Sequence, residues 1–133
     1  MKILATIDFS TTSETILKVT KTYAKKLDAE VLLMHAEPFP TDLSQEASDT
    51  KPESVRLKKD AKALERAGVK VTPLFVQGPA CETILETAIN LKVDLIVIGA
   101  HGHGKLSCKM PIGHISECIL FRSNVPVLVV PAN

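Results

Sequence analysis

Five short apolar runs rich in β-branched residues alternate along this chain with segments of helical period, and that alternation leaves few folds open. The runs cover residues 3–7, 31–36, 69–76, 93–98 and 125–130. Strands that are continuously apolar, rather than alternating, are covered on both faces. Thr11 and Glu14 have capping-box spacing and predict a helix start, after which Ile16, Thr20, Tyr23, Ala24 and Leu27 recur at helical spacing. Residues 55–67 predict a second helix with Gly68 as its C-cap. Gly78 and Pro79 break the chain and open a third helix over about 80–91, with Ile84, Leu85, Ala88 and Leu91 inward; 114–122 predicts a fourth. Residues 37–52, rich in Pro, Asp, Ser and Thr without a period, read as a mobile surface loop. The order βαβαβαβαβ implies right-handed crossovers and an α/β fold, a single-domain parallel sheet with helices on both faces.

Length and charge narrow the function classes. A chain of 133 residues suits one domain and buries roughly two-thirds of its unfolded surface, so it needs neither disulfide nor metal to fold. Its 16 basic and 15 acidic residues give a net charge of +1, which makes no electrostatic case for nucleic acid or a membrane surface. With no Trp, one Tyr and four Phe, few stacking platforms exist for single strands. Cys81, Cys108 and Cys118 form no CxxC pair and are odd in number, which argues against a secreted disulfide framework. The opening MKILATIDFS is cut by Asp8 and is too short for a signal peptide core or a membrane span. The expected compartment is the cytoplasm.

Ligands of such sheets sit beyond the carboxyl ends of the strands, where the winding reverses. Two strand ends carry chemistry there. The first is Asp8, in IDFSTTSE, whose carboxylate can accept hydrogen bonds from a ligand's amine or hydroxyls; the alternative is that it caps the turn that follows. The second is GAHGHGKLSCKMPIGHIS, which holds four of the six glycines: Gly99, Gly102, Gly104 and Gly113. Glycines allow close backbone approach and inward-pointing N–H groups that bind anions, and Gly113 precedes a helix whose amino end favours phosphate. The alternative is a turn built of glycines for geometry alone. Residues 99–105 also fit the start of a P-loop, but Leu106 stands where Ser or Thr must hold Mg²⁺ and Pro111 interrupts the helix required next. No later strand ends in an acidic residue, so that reading is excluded, although Lys105 could meet a phosphate as a point charge.

The opening strand ending in DFS, the fourth ending in VIGAHG, the later Gly113 and the closing NVPVLVV resemble the universal stress protein family along the whole chain. The resemblance implies strand order 3-2-1-4-5, a Rossmann-like fold, and a small non-enzymatic regulatory module that binds an adenine nucleotide, ATP or AMP. Mg²⁺ or Mn²⁺ would enter only with the nucleotide. It assigns Asp8 to the adenosine, Ala36 to the adenine, Ile98 and Gly99 to the ribose side, and Gly102, Gly113, His114 and Ile115 to the phosphates. Two departures stand against the family pattern G-x2-G-x9-G-[ST]. Ten residues separate Gly102 from Gly113, and His114 replaces the hydroxyl residue. The extra residue changes the path of the phosphate loop, and the imidazole either blocks the phosphate or contacts it when protonated. The other branch of the family binds no ATP and acts as a dimeric stress-associated interaction module.

Other groupings read more plainly. His101, His103, His114 and Cys108 lie close in sequence but lack paired-ligand spacing, so no metal is expected. Ser10, Ser107 and Cys108 have no fixed base, so no nucleophile is assigned. Cys108 is the cysteine expected to be exposed, with a redox role as the lesser reading. Arg56, Lys58, Lys59, Lys62 and Arg66, broken by Asp60 and Glu65, read as a solvated helix face. In the strand order that the resemblance implies, the last run would be an edge strand, apolar and unguarded by charge, and predicts a homodimer through it.

Overall fold

The computed structural model describes residues 1–9, 12–37, 52–100 and 113–131. The apolar runs become five strands and the periodic segments four helices among these residues. In chain order they are β1 (Lys2–Thr6), α1 (Thr12–Leu27), β2 (Glu30–Glu37), α2 (Pro52–Arg66), β3 (Val71–Gln77), α3 (Ala80–Asn90), β4 (Leu95–Gly99), α4 (His114–Arg122) and β5 (Val127–Val130). All strand pairs are parallel, in the order β3-β2-β1-β4-β5. Ile3 is flanked by Val31 on one side and Leu95 on the other, so the central strand is apolar because both neighbours and both faces bury it.

Period-two alternation divides each strand between two cores. Ile3, Ala5, Val31, Leu33 and Val97 face α1 and α2; Leu4, Leu32, Met34, Ile96 and Ile98 face α3 and α4. The fully buried Ile3, Leu4, Leu33 and Ile96 each contribute about 1.5–3 kcal/mol in removing apolar surface from water. The helices answer with stripes of small and branched residues. On α1 the buried stripe is Ser13, Ile16, Thr20 and Ala24; on α2 it is Ser54, Leu57, Ala61 and Leu64. Tyr23 and Leu27, which recur at helical spacing with that stripe, are 41% and 42% exposed, one helical position off the buried line. Leu91, expected inward, is the exposed C-cap of α3, whereas Ile84 and Ala88 are buried.

At the amino end of the sheet the helices stop in one repeated way. Ala29, Val69 and Val93 each donate to the carbonyl five residues earlier, of Ala24, Leu64 and Ala88. Asp28, Gly68 and Lys92, the residues just before, have φ of 51°, 93° and 53°. This is the Schellman stop, and only Gly68 adopts it without a Cβ penalty. Asp28, Ala29, Gly68 and Val69 of these short turns border a polar hollow at that end, with Met1, Lys2 and Lys70.

Candidate functional site

From β1 the chain winds outward through β2 to β3, then returns to the opposite side of β1 as β4. The connections after β1 and β4 leave in opposite directions, and a crevice opens between them. Beyond Thr6 the Ile7 N–H still donates to the Met34 carbonyl (3.0 Å). Phe9 then takes φ 63°, a left-handed conformation that a bulky residue adopts only under constraint from its surroundings. Asp8 lines the crevice, whereas the Phe9 ring packs into the core under α1 and α2. The Ser13 hydroxyl donates to Asp8 Oδ1 at 3.4 Å and ties the carboxylate to the first turn of α1.

The crevice is a mostly apolar cleft of about 110 Å³. Asp8, Ala36, Ile98, Gly99 and Ile115, five of the residues singled out from the sequence, line this one cleft. Thr6, Ile7, Ile16, Ala80, Ile84 and Ser116 join them, and sequence reasoning missed all six. Gly113 is buried and is the N-cap of α4; its N–H donates to the Ala100 carbonyl at 2.6 Å. His114 opens the helix, is exposed, and is not among the lining residues. Gly102 lies outside the described residues, as do Gly104, His101, His103, Lys105 and Cys108 and the altered path expected of the longer connection.

Two helix amino ends meet at the cleft. Neither Pro79 of α3 nor Gly113 of α4 provides a side-chain cap. The first N–H groups of a helix have no intrahelical partner, and their aligned dipoles make that end positive. Ala80 brings the start of α3 to the cleft, and Ile115 and Ser116 bring the start of α4. The Ser116 hydroxyl turns back to donate to the Gly99 carbonyl, which joins α4 to the end of β4. A serine in the first turn of a helix was the available signal for this residue.

The family model for the universal stress protein family matches residues 1–131. Universal stress protein MJ0577 of Methanocaldococcus jannaschii is 31% identical over 157 residues, spanning 97% of this chain and 93% of that one. The chain belongs to the universal stress protein family. The solved structure of MJ0577 superimposes with a TM-score of 0.87 at 32% identity, covering 99% of this chain and 96% of the other. A universal stress protein solved in complex with cAMP gives 0.77 at 21% identity over 98% and 96% of the two chains. One from Archaeoglobus fulgidus in complex with dAMP gives 0.70 at 20% over 98% and 97%. The sheet order expected from the resemblance is the one found here.

On the other side of the same strand ends, this universal stress protein carries an aromatic cluster. His35, buried in β2, stacks between Phe9 and Phe75 with ring centroids 4.6 and 5.7 Å away. Its Nδ1 lies 2.9 Å from the Ile7 carbonyl, an acceptor, so Nδ1 carries the proton. Nε2 lies 3.7 Å from Glu37 Oε1, and the Arg56 guanidinium covers the Phe9 ring at 4.7 Å.

The cysteines add a feature that the sequence did not announce. The odd count and absent CxxC argued against a secreted disulfide framework and pointed to no pair, yet Cys81 and Cys118 are joined, their Cα atoms 6.3 Å apart. The pair is separated by 37 residues in sequence and becomes adjacent only when α3 packs on α4. Among the described residues no group of three His, Cys, Asp or Glu is arranged to hold a metal ion, and no helix is long and apolar enough to cross a membrane.

Proposed function

We propose that the chain binds an adenine nucleotide, AMP or ATP, in the cleft at the carboxyl ends of β1 and β4, as a regulatory module without a catalytic step of its own. One observation carries this reading: a carboxylate, a small-residue wall and two helix amino ends without side-chain caps converge on a single apolar cleft. Asp8 accepts hydrogen bonds from the adenosine. Ala36 and Ala80 leave room for a flat base, and Ile98 and Gly99 flank the ribose. The N–H groups of His114 and Ile115 at the head of α4 receive the phosphates, with Gly113 leaving room for their close approach and Gly102 in a phosphate-facing role by family resemblance. A divalent cation, Mg²⁺ or Mn²⁺, would enter with the phosphates. The cAMP and dAMP complexes of the two fold-sharing proteins agree with this reading, which rests on the chain's own cleft.

Saturating AMP or ATP is expected to raise the melting temperature, since a ligand at a hundred times its Kd stabilises the folded state by about 2.7 kcal/mol. Asp8→Ala is expected to weaken binding about tenfold, the loss of one charge-assisted hydrogen bond, with an unchanged circular dichroism spectrum. An unmoved melting curve with every adenine nucleotide overturns the reading and leaves the dimeric interaction module in its place.

We also propose a homodimer through β5. It is an edge strand in which Leu128 packs toward one core and Val127 and Val129 toward the other, so the outer backbone groups form the unpaired template. Two copies about a two-fold axis would cover each other. Sedimentation at micromolar concentration is expected to give a dimer, and a compact monomer across that range excludes it.

A further inference from the structure

The disulfide joins the two helices that form walls of the cleft, close to the residues that line it. Cys81 directly follows Ala80 and precedes Ile84 by one helical turn, and both of those line the cleft. Cys118 follows Ile115 by one turn and Ser116 by two residues, and both of these line it too. The bond therefore tethers the amino-terminal part of α3 to α4 within a turn of the lining residues. Its chemical setting is asymmetric. Cys81 is 7% exposed, whereas Cys118 is only partly buried. Arg122, one turn along α4, lies with Nη1 3.6 Å from Cys118 Sγ and 3.3 Å from Glu82 Oε1 on α3. A cation beside the more accessible sulfur favours its thiolate, the form that attacks. Without the covalent bond, Arg122 and Glu82 still bridge the helices, but both side chains are 52% exposed and a pair so solvated is worth about 0–1 kcal/mol.

We propose that Cys81 and Cys118 form a thiol–disulfide exchange site for low-molecular-weight disulfides, and that its state sets the affinity of the adjoining cleft for its ligand. In the oxidising direction the Cys118 thiolate attacks one sulfur of a small disulfide, forming a mixed disulfide and releasing one small thiolate. The Cys81 thiolate then attacks Cys118 Sγ, closes the protein bond and releases the second small thiolate. The two protons lost by the protein thiols end on the two released thiols. The protein is oxidised by two electrons and the small disulfide is reduced by two. A small thiol runs the exchange backward. The closed bond holds the starts of α3 and α4 in place before a ligand arrives, so less ordering remains to be done on binding.

The effect on affinity rests on the nucleotide reading; the exchange and its effect on the helix starts do not. Full-length protein is equilibrated in glutathione buffers of graded oxidation, alkylated, and mapped by mass spectrometry, which distinguishes the Cys81–Cys118 bond from any pairing with Cys108. The bond is expected to form and break across that series. Amides of residues 80–84 and 114–118 are expected to exchange hydrogen about fivefold faster when it is open, and AMP to bind about fivefold more weakly, the low end of coupling between sites. The Cys81→Ala, Cys118→Ala double variant is expected to match the reduced protein in every buffer. A bond that never forms, amides indifferent to it, or AMP binding that is measurable and equal in the two forms overturns the proposal. If neither form binds AMP or ATP while the amides still respond, the nucleotide reading fails and the exchange site with its action on the cleft stands.

Discussion

The same strand ends are built in opposite ways on the two faces of the sheet. On the side of α1 and α2, Phe9, His35 and Phe75 fill the space with rings and Arg56 covers the outermost one. Toward α3 and α4, their neighbours in sequence, Asp8 and Ala36, leave a cleft, which Ile7 and Ile16 close from the side of α1. Period-two alternation makes this possible: adjacent residues face opposite ways, so one short segment can seal one side while opening the other. The left-handed Phe9 is where the two designs meet. It carries backbone strain on the order of 1–3 kcal/mol, opposed by ring stacking on one side. A cleft can thus be cut into the end of a small sheet without leaving that end loosely packed.

The contrast is broken most directly by giving the open side a ring. Ala36→Trp is expected to fill the cleft and cut AMP affinity about a hundredfold, about 2.7 kcal/mol, with little change in melting temperature because Ala36 is only partly buried. Titration calorimetry reads the first and a melting curve the second. The converse variant empties the sealed side. Phe75→Ala is expected to cost about 2–3 kcal/mol in urea unfolding, below the value for a fully buried Phe, and to leave AMP affinity within about twofold. A larger loss of affinity would mean that the two sides do not act separately.

Much of this arrangement is legible in the residues, and the parts that are not share one cause. Asp8, Ala36, Ile98 and Gly99 end their strands, so a parallel sheet brings them together whatever its detailed packing. The start of α4 at His114 follows from Gly113 before a periodic segment. Ile16, Ala80 and Ile84 reach the cleft from helix faces whose orientation is set by packing, and periodicity alone also picks out Tyr23 and Leu27, which face solvent. The disulfide depends on α3 lying against α4, a contact between segments that no local spacing encodes. Nor does any residue preference announce a phenylalanine or a lysine at positive φ; tertiary context imposes both.

The smallest effect sharpens the contrast at the rim of the sealed side. Burial pushes the Asp60 carboxyl above its ordinary range, Arg56 and Lys59 pull it back, and Glu14 adds to the rise. The folded protein therefore holds that proton more tightly than the unfolded chain, and this group lowers stability as pH rises from the ordinary carboxylate value through the raised one. Asp60→Asn is expected to give a small gain in unfolding free energy at pH 7 that fades as pH falls through this window and is absent below it. A gain that persists at the acid end would assign it to packing instead.

The hydrogen bond from the Gly113 N–H to the Ala100 carbonyl fixes the two ends of the connection between β4 and α4 to each other. Once the ends are joined, the length between them matters little in free energy. Closing entropy grows only with the logarithm of length, so the tenth residue between Gly102 and Gly113, against the family's nine, costs roughly 0.1 kcal/mol. Insertions can therefore accumulate in this stretch at almost no thermodynamic expense while α4 keeps its place on the sheet. A longer connection thus asks for no redesign of the domain that carries it.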